Sequence, residues 1–365
     1  MPGVYISYPF CAQKCTYCNF ASGVFPRELE PRYVDALVAE LAAHTWTWQP
    51  ETIYLGGGTP SGMAAGDLDR VLAAIPGGGH WQEATIEAAP GTITSERAGA
   101  WASAGINRVS LGVQSFVQRE LARTGRKHTA EIVEREVAVL RAAGLPNINI
   151  DLIAGLPGQT RAAWLESLKW VERLQPPHVS VYMLEVDEDS RLGSEVLLNG
   201  KRYGAPDVPS DELTAELYET AVAVLAGIGI ERYEISNFAR PGFESLHNLK
   251  YWRLEPYAGF GADAHSFDGA VRSQNIESPG EYVASMQSGT SASTGETLAN
   301  PDEERFFVGL RLTQGVLLQP DEWRKFERPI QRFIADGLLA RDHQRLRLTD
   351  RGVLFSNEVF AEFIT

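Results

Sequence analysis

The chain has 365 residues, 44% hydrophobic and 22% charged; that is ordinary for a globular protein and long enough for one large α/β domain with a smaller one appended. A formal net charge of −14 argues against a general nucleic-acid binder, because phosphate contacts need clustered Lys and Arg. No run reaches the ~20 apolar residues that span a membrane, and residues 1–7 lack a basic stretch leading into an apolar core, so the expected location is the cytoplasm.

A first strand is predicted over 4–7. The chain's three cysteines follow it, Cys11, Cys15 and Cys18, spaced C-x3-C-x2-C. A disulfide framework would be even in number and spread along the chain. Three thiols this close form a ligand set in a reducing compartment. A 4Fe–4S cube normally takes four thiolates, so three leave one iron open. Structural zinc, which would lack its fourth ligand here, and three unrelated buried thiols are the alternatives.

A helix over 31–44 and a strand over 52–55 come next, then Gly56-Gly57-Gly58-Thr59-Pro60. This is either a tight turn or a place where backbone approaches a ligand. Further helices are predicted at 65–74, 95–104, 130–143, 161–174 and 211–228. Thr94 or Ser95 and Thr160 supply N-caps, and Gly105, Gly144 and Gly229 supply stops. Strands at 85–88, 108–112, 147–153 and 179–184 alternate with them. They are short and largely apolar or β-branched, as expected for strands buried on both faces. Their ends carry Glu87, Gln114, Asp151 and Ile153, with Arg126 ahead of a helix. Asp151 sits in an apolar strand and needs a partner, such as a ribose hydroxyl.

Six such units predict a partial (β/α)6 TIM-like barrel over 1–230, with its chemistry at the strands' carboxyl ends. Residues 191–210 read as a loop. Residues 231–300 form a connecting region, of which 233–267 is rich in aromatics, Asn and Gly. Residues 301–365 read as a smaller α+β winged-helix-like domain: two helices, a strand over 345–348 and a last helix over 353–363. Its charges nearly cancel, against DNA binding.

With its C-x3-C-x2-C loop, the chain resembles the radical S-adenosylmethionine superfamily. The resemblance implies a 4Fe–4S cluster that donates an electron to the sulfonium, Tyr17 beside the adenine, and Gly57, Gly58 and Thr59 at the methionine amino group. Segments 85–91, 111–116 and 149–158 (NIDLIAGLPG) look like those of oxygen-independent coproporphyrinogen III oxidase and its relatives. That likeness implies that Tyr5, Glu87, Gln114, Arg126, Asp151 and Ile153 serve S-adenosylmethionine. Two features separate the branches of this group. The oxidases carry a fourth cysteine where this chain has Phe20, and an extra N-terminal segment, whereas this chain starts just before its first strand. His247-Asn248-Leu249-Lys250-Tyr251-Trp252 matches the H-N-x-x-Y-W motif of HemW-type heme chaperones. The resemblance therefore implies heme near His247, with the imidazole as axial ligand, and delivery to recipient hemoproteins. It allows peripheral contact with membrane-bound recipients and a homodimer. The alternative is the enzyme, coproporphyrinogen III dehydrogenase. His265 is either a second porphyrin contact or a structural hydrogen bonder.

Overall fold

The computed structural model describes residues 2–364. Strands β1 (Gly3–Tyr8), β2 (Thr52–Gly57), β3 (Glu83–Ala88), β4 (Arg108–Gln114), β5 (Asn147–Ala154) and β6 (His178–Met183) are parallel neighbours in that order. The six predicted helices fall between and after them, at Leu29–Ala43, Ala65–Ala73, Ser95–Ser103, Ala130–Ala142, Arg161–Leu174 and Asp211–Gly227. Thr94, Thr129, Thr160 and Ser210 cap four of these by accepting from free backbone N–H groups. A short helix, Gln118–Thr124, was not foreseen. The 191–210 loop holds a helix, Arg191–Leu197, and a 3₁₀ turn, Arg202–Asp207.

The largest departure lies in what the strands face. Val4 and Ile6, Ile53 and Leu55, Ile86, Val109 and Leu111, Ile150 and Leu152, and Val179 and Val181 are fully buried in the core. The residues between them are polar or glycine: Tyr5, Ser7, Tyr54, Gly56, Thr85, Glu87, Arg108, Ser110, Asn149, Asp151, His178, Ser180 and Tyr182. Successive side chains of a strand point to opposite faces. The helices cover the apolar face, and the other lines a hydrophilic interior. The strands are therefore not apolar on both sides.

Residues 231–300 do more than connect. They supply β7 (Glu231–Arg232), β8 (Asn237–Ala239), β9 (Tyr257–Phe260), β10 (His265–Phe267), β11 (Val271–Asn275) and β12 (Ser293–Leu298). β9 lies parallel to β1, and β10, β11 and β12 continue antiparallel beyond it. β8 and β7 extend the far side past β6. The result is one twelve-stranded sheet whose end strands, β12 and β7, do not pair: a partial, open barrel.

The C-terminal part has the helices Pro301–Gly309, Pro320–Lys325 and Glu327–Ala335 beside a small sheet of β13 (Val316–Leu317), β15 (Arg345–Leu348) and β14 (Leu339–Asp342). The expected last helix is broken into Asp350–Leu354 and Ser356–Ala361, because Phe355 leaves helical geometry (φ −113°, ψ 24°) between them. Phe306, Phe326 and Phe363 meet at 4.8–5.2 Å and tie the chain end to the first of these helices. Among the described residues no helix is long and apolar enough to cross a membrane.

Candidate functional site

The cysteine loop leaves the carboxyl end of β1 and is pinned at several points. Cys11 N–H donates to Gly23 O (2.8 Å), and Thr16 N–H donates to Thr124 O (3.3 Å). All three thiols are free and partly exposed. Burial raises the Cys11 pKa, hydrogen bonds with Thr59 and Ser22 oppose the rise, and the nearby Cys18 and Cys15 add to it. The thiols are thus within electrostatic reach of one another, although the described residues form no closed group of three metal-ligating side chains. Three free thiols on a pinned loop at the barrel mouth fit an iron–sulfur cluster, which Cys11, Cys15 and Cys18 would hold. Phe20, where a fourth cysteine would stand, is 66% exposed.

The neighbouring strand ends form a cradle. Gly57 has φ +104°, and a Cβ on Gly58 would stand 2.7 Å from Phe10 O, so only glycine allows this approach. Thr59 N–H donates to Phe10 O (2.9 Å). Glu87 accepts from Tyr54 Oη (2.8 Å) and Gly57 N (3.2 Å). Its pKa is pushed up to about 7, mainly by burial. Tyr5 stacks on Tyr54 at 6.1 Å. A register shift bends β4 at Gly112/Gln114, and Gln114 adopts φ +70°, strained for a residue with a side chain. Its Oε1 is buried with no donor, so it has an acceptor to offer a ligand. Arg126 donates to Tyr17 Oη (3.2 Å) and Gly112 O (2.7 Å). Burial opposes its charge, but Tyr17 and Cys15 beside it raise its pKa. Ile153 is buried near the end of β5. These residues fit an amino-acid-bearing nucleoside cofactor beside a cluster.

Asp151 finds partners within the chain. Its oxygens accept from Ser110 Oγ (3.2 Å) and Asn149 Nδ2 (2.7 Å). Asn149 Oδ1 meets His178 Nδ1 (2.6 Å), and His178 Nε2 meets Tyr233 Oη (2.9 Å). Tyr233 Oη accepts from Ser245 N (3.1 Å). Ser245 Oγ, Leu246 N and His247 N donate to Glu83 (3.2, 2.9 and 3.0 Å). A polar floor therefore runs from the cofactor layer to the start of the helix Leu246–Trp252. Arg108, 1% exposed, belongs to the same interior, and its Nε has no partner.

His247 lies deep in the structure. It is 1% exposed, at the amino end of the barrel strands. Nδ1 meets Thr52 Oγ1 (2.9 Å) and Nε2 meets Tyr251 Oη (2.8 Å). Both ring nitrogens are hydrogen-bonded within the chain. The other motif aromatics face differently. Tyr251 and Trp252, with Leu254, Tyr257, Phe267, Arg272, Glu304, Phe307 and Val308, line a cavity of ≈ 350 Å³. Ring contacts run without a break from Tyr5 through Tyr54, His247, Tyr251 and Tyr257 to Phe267, at 4.6–6.3 Å. His265 is exposed on β10.

Sequence reasoning missed Arg108, Asn149, Tyr54 and Arg272. The strict alternation of polar and apolar residues along each strand is the signal that exposes the first three. Arg272 lies on a strand that was not foreseen.

The open parallel barrel and its three-cysteine mouth define a protein of the radical S-adenosylmethionine class. The family model described as the radical SAM superfamily matches residues 5–171, and the HemN C-terminal domain model matches 298–355. The curated heme chaperone HemW of Lactococcus lactis is 36% identical over 372 residues, 99% of this chain and 96% of its own length. That of Bacillus subtilis is 33% identical over 381 residues, covering 100% and 99%. The chain belongs to the HemW heme chaperone family. A structure of coproporphyrinogen III oxidase (HemN) from Escherichia coli shares its fold with TM-score 0.86 and 22% identity, over 100% of this chain and 90% of that one.

Proposed function

We propose that this protein binds heme and delivers it to hemoproteins, with a 4Fe–4S cluster on Cys11, Cys15 and Cys18 and S-adenosylmethionine at the open iron. The observation that carries the heme reading is the cavity between the H-N-x-x-Y-W helix and the C-terminal part. Tyr251, Trp252, Tyr257, Phe267 and Phe307 wall it, and flat aromatic faces suit a porphyrin. At ≈ 350 Å³ it lies at the small end of ligand sites, so it takes an edge of the macrocycle and leaves the rest accessible for transfer. Two relatives that align over nearly the whole of this chain are heme chaperones.

When bound, the cluster supplies an electron to the sulfonium. This chain's own residues hold and orient the cofactor. Glu87 would meet its ammonium, the glycine turn would give backbone access, Gln114 would supply an acceptor, and Arg126, which holds Tyr17, would keep that ring in place for the adenine. The same reading puts the protein in the cytoplasm and allows peripheral contact with membrane-bound recipients and a homodimer.

Titrating anaerobically reconstituted protein with ferric heme should give a saturable Soret band. Trp252→Ala combined with Tyr257→Ala should weaken it without removing the cluster's visible absorbance. A spectrum indistinguishable from free heme throughout the titration rejects the reading.

A further inference from the structure

We propose that Arg272 anchors a carboxylate side chain of the bound tetrapyrrole, and that Glu304 is a built-in stand-in that this carboxylate displaces. The inference rests on the heme reading above and adds the chemistry of the ligand's edge.

Arg272 is the single cation among the residues lining the cavity, and Glu304 is the single anion. Arg272 comes from β11 of the barrel sheet, Glu304 from the helix Pro301–Gly309 of the C-terminal part. The guanidinium lies 4.4 Å over the Phe267 ring, and its Nη1 donates to Tyr257 Oη (3.2 Å). It is thereby held in one orientation against the aromatic wall. Nε donates to Glu304 Oε2 (3.0 Å), and Nη2 donates to that same oxygen. The other oxygen, Oε1, is turned away and accepts from Asn300 N (3.1 Å).

The fork of Arg272 is therefore served by one oxygen only. A carboxylate presenting two oxygens makes the stronger parallel pair. The Arg272 side chain is 34% exposed and that of Glu304 14%, so a ligand can reach the guanidinium from the open side and must compete with Glu304 for it. Glu304 keeps its bond to Asn300 after it lets go. A planar apolar ring with a carboxylate at its edge satisfies all of these groups. A ring whose carboxylates are esterified satisfies only the aromatic wall.

The test compares hemin with hemin dimethyl ester on the full-length, cluster-reconstituted protein. Glu304→Gln keeps the Asn300 bond but removes the competing charge, so hemin should bind about tenfold more tightly and the ester equally well. Arg272→Gln should weaken hemin by about tenfold, to the level of the ester, and leave the ester unchanged. Hemin affinity unmoved in both variants, or the ester moving as much as hemin, overturns the inference while wild-type heme binding stands. A wild type that binds neither compound overturns the heme reading itself.

Discussion

His247 Nε2 and Tyr251 Oη lie 2.8 Å apart, one helical turn from each other, and this pair closes the floor of the barrel. His247→Ala would strip Thr52 and Tyr251 of their partner and leave a cavity. We expect a loss of about 3 kcal/mol in urea unfolding. The Soret maximum of the heme-loaded protein should stay in place, because both imidazole nitrogens are hydrogen-bonded within the chain. A shifted Soret band with unchanged stability would reverse that assignment. Burial, with Lys250 and Arg108 nearby, pushes the His247 pKa down to about 3, whereas the unfolded chain protonates it near ~6.5. The neutral ring's contribution is therefore complete above ~6.5 and drains as pH falls toward its folded value. The stability gap between wild type and His247→Ala should narrow by about 1.4 kcal/mol per pH unit below that point.

Glu87 titrates in the opposite sense. Burial raises it to about 7, and Asp151 adds to the rise, while Tyr54, Gly57 N–H and Arg108 oppose it. The cationic groups of S-adenosylmethionine favour the ionised carboxylate, so binding should strengthen between about pH 6 and 8 and release a proton. Calorimetry in two buffers of different ionisation enthalpy reads that proton directly. Glu87→Gln should bind more weakly, with no dependence over this range.

Arg108 opposes the raised pKa values of both Glu87 and Asp151. Arg108→Met removes a buried cation beneath them. We expect about tenfold weaker S-adenosylmethionine binding at neutral pH and an upward shift in the midpoint of its pH dependence. A variant that binds normally with an unchanged profile would make Arg108 a purely structural residue.

Replacing Cys11, Cys15 or Cys18 singly by Ser should abolish the reconstituted cluster's visible absorbance and its bound iron and sulfide, since three thiolates leave none to spare. Phe20→Cys should leave cluster content unchanged, because that position points outward at 66% exposure. Retention of a full cluster in any of the three serine variants would move a ligand elsewhere in the chain.

Much of this was legible beforehand, and the limits have physical causes. The six parallel strands and their helices follow from short β-rich runs alternating with capped, glycine-stopped helices. The candidate cofactor residues come from the family resemblance, and several of them stand near the carboxyl ends of those strands. The polar interior was missed although Val4-Tyr5-Ile6-Ser7 and Ile148-Asn149-Ile150-Asp151 alternate plainly. Apolar content was weighed there rather than period. The strands β7–β12 were missed because several are only two to four residues long, too short for a periodic signal, and exist by pairing with strands far away in sequence. The burial of His247 is hidden for a related reason: a motif names residue types, but Thr52, whose hydroxyl meets one of its ring nitrogens, lies 195 residues away.

The most direct test of the whole account follows heme after it is bound. Heme-loaded, cluster-reconstituted protein is mixed anaerobically with an apo-hemoprotein, and the Soret band is tracked with S-adenosylmethionine present. The account predicts transfer, with the band moving to the acceptor's position and the donor recovered intact. Heme that stays put, together with coproporphyrinogen III converted to protoporphyrinogen IX and matching 5′-deoxyadenosine in a parallel reaction, would contradict it.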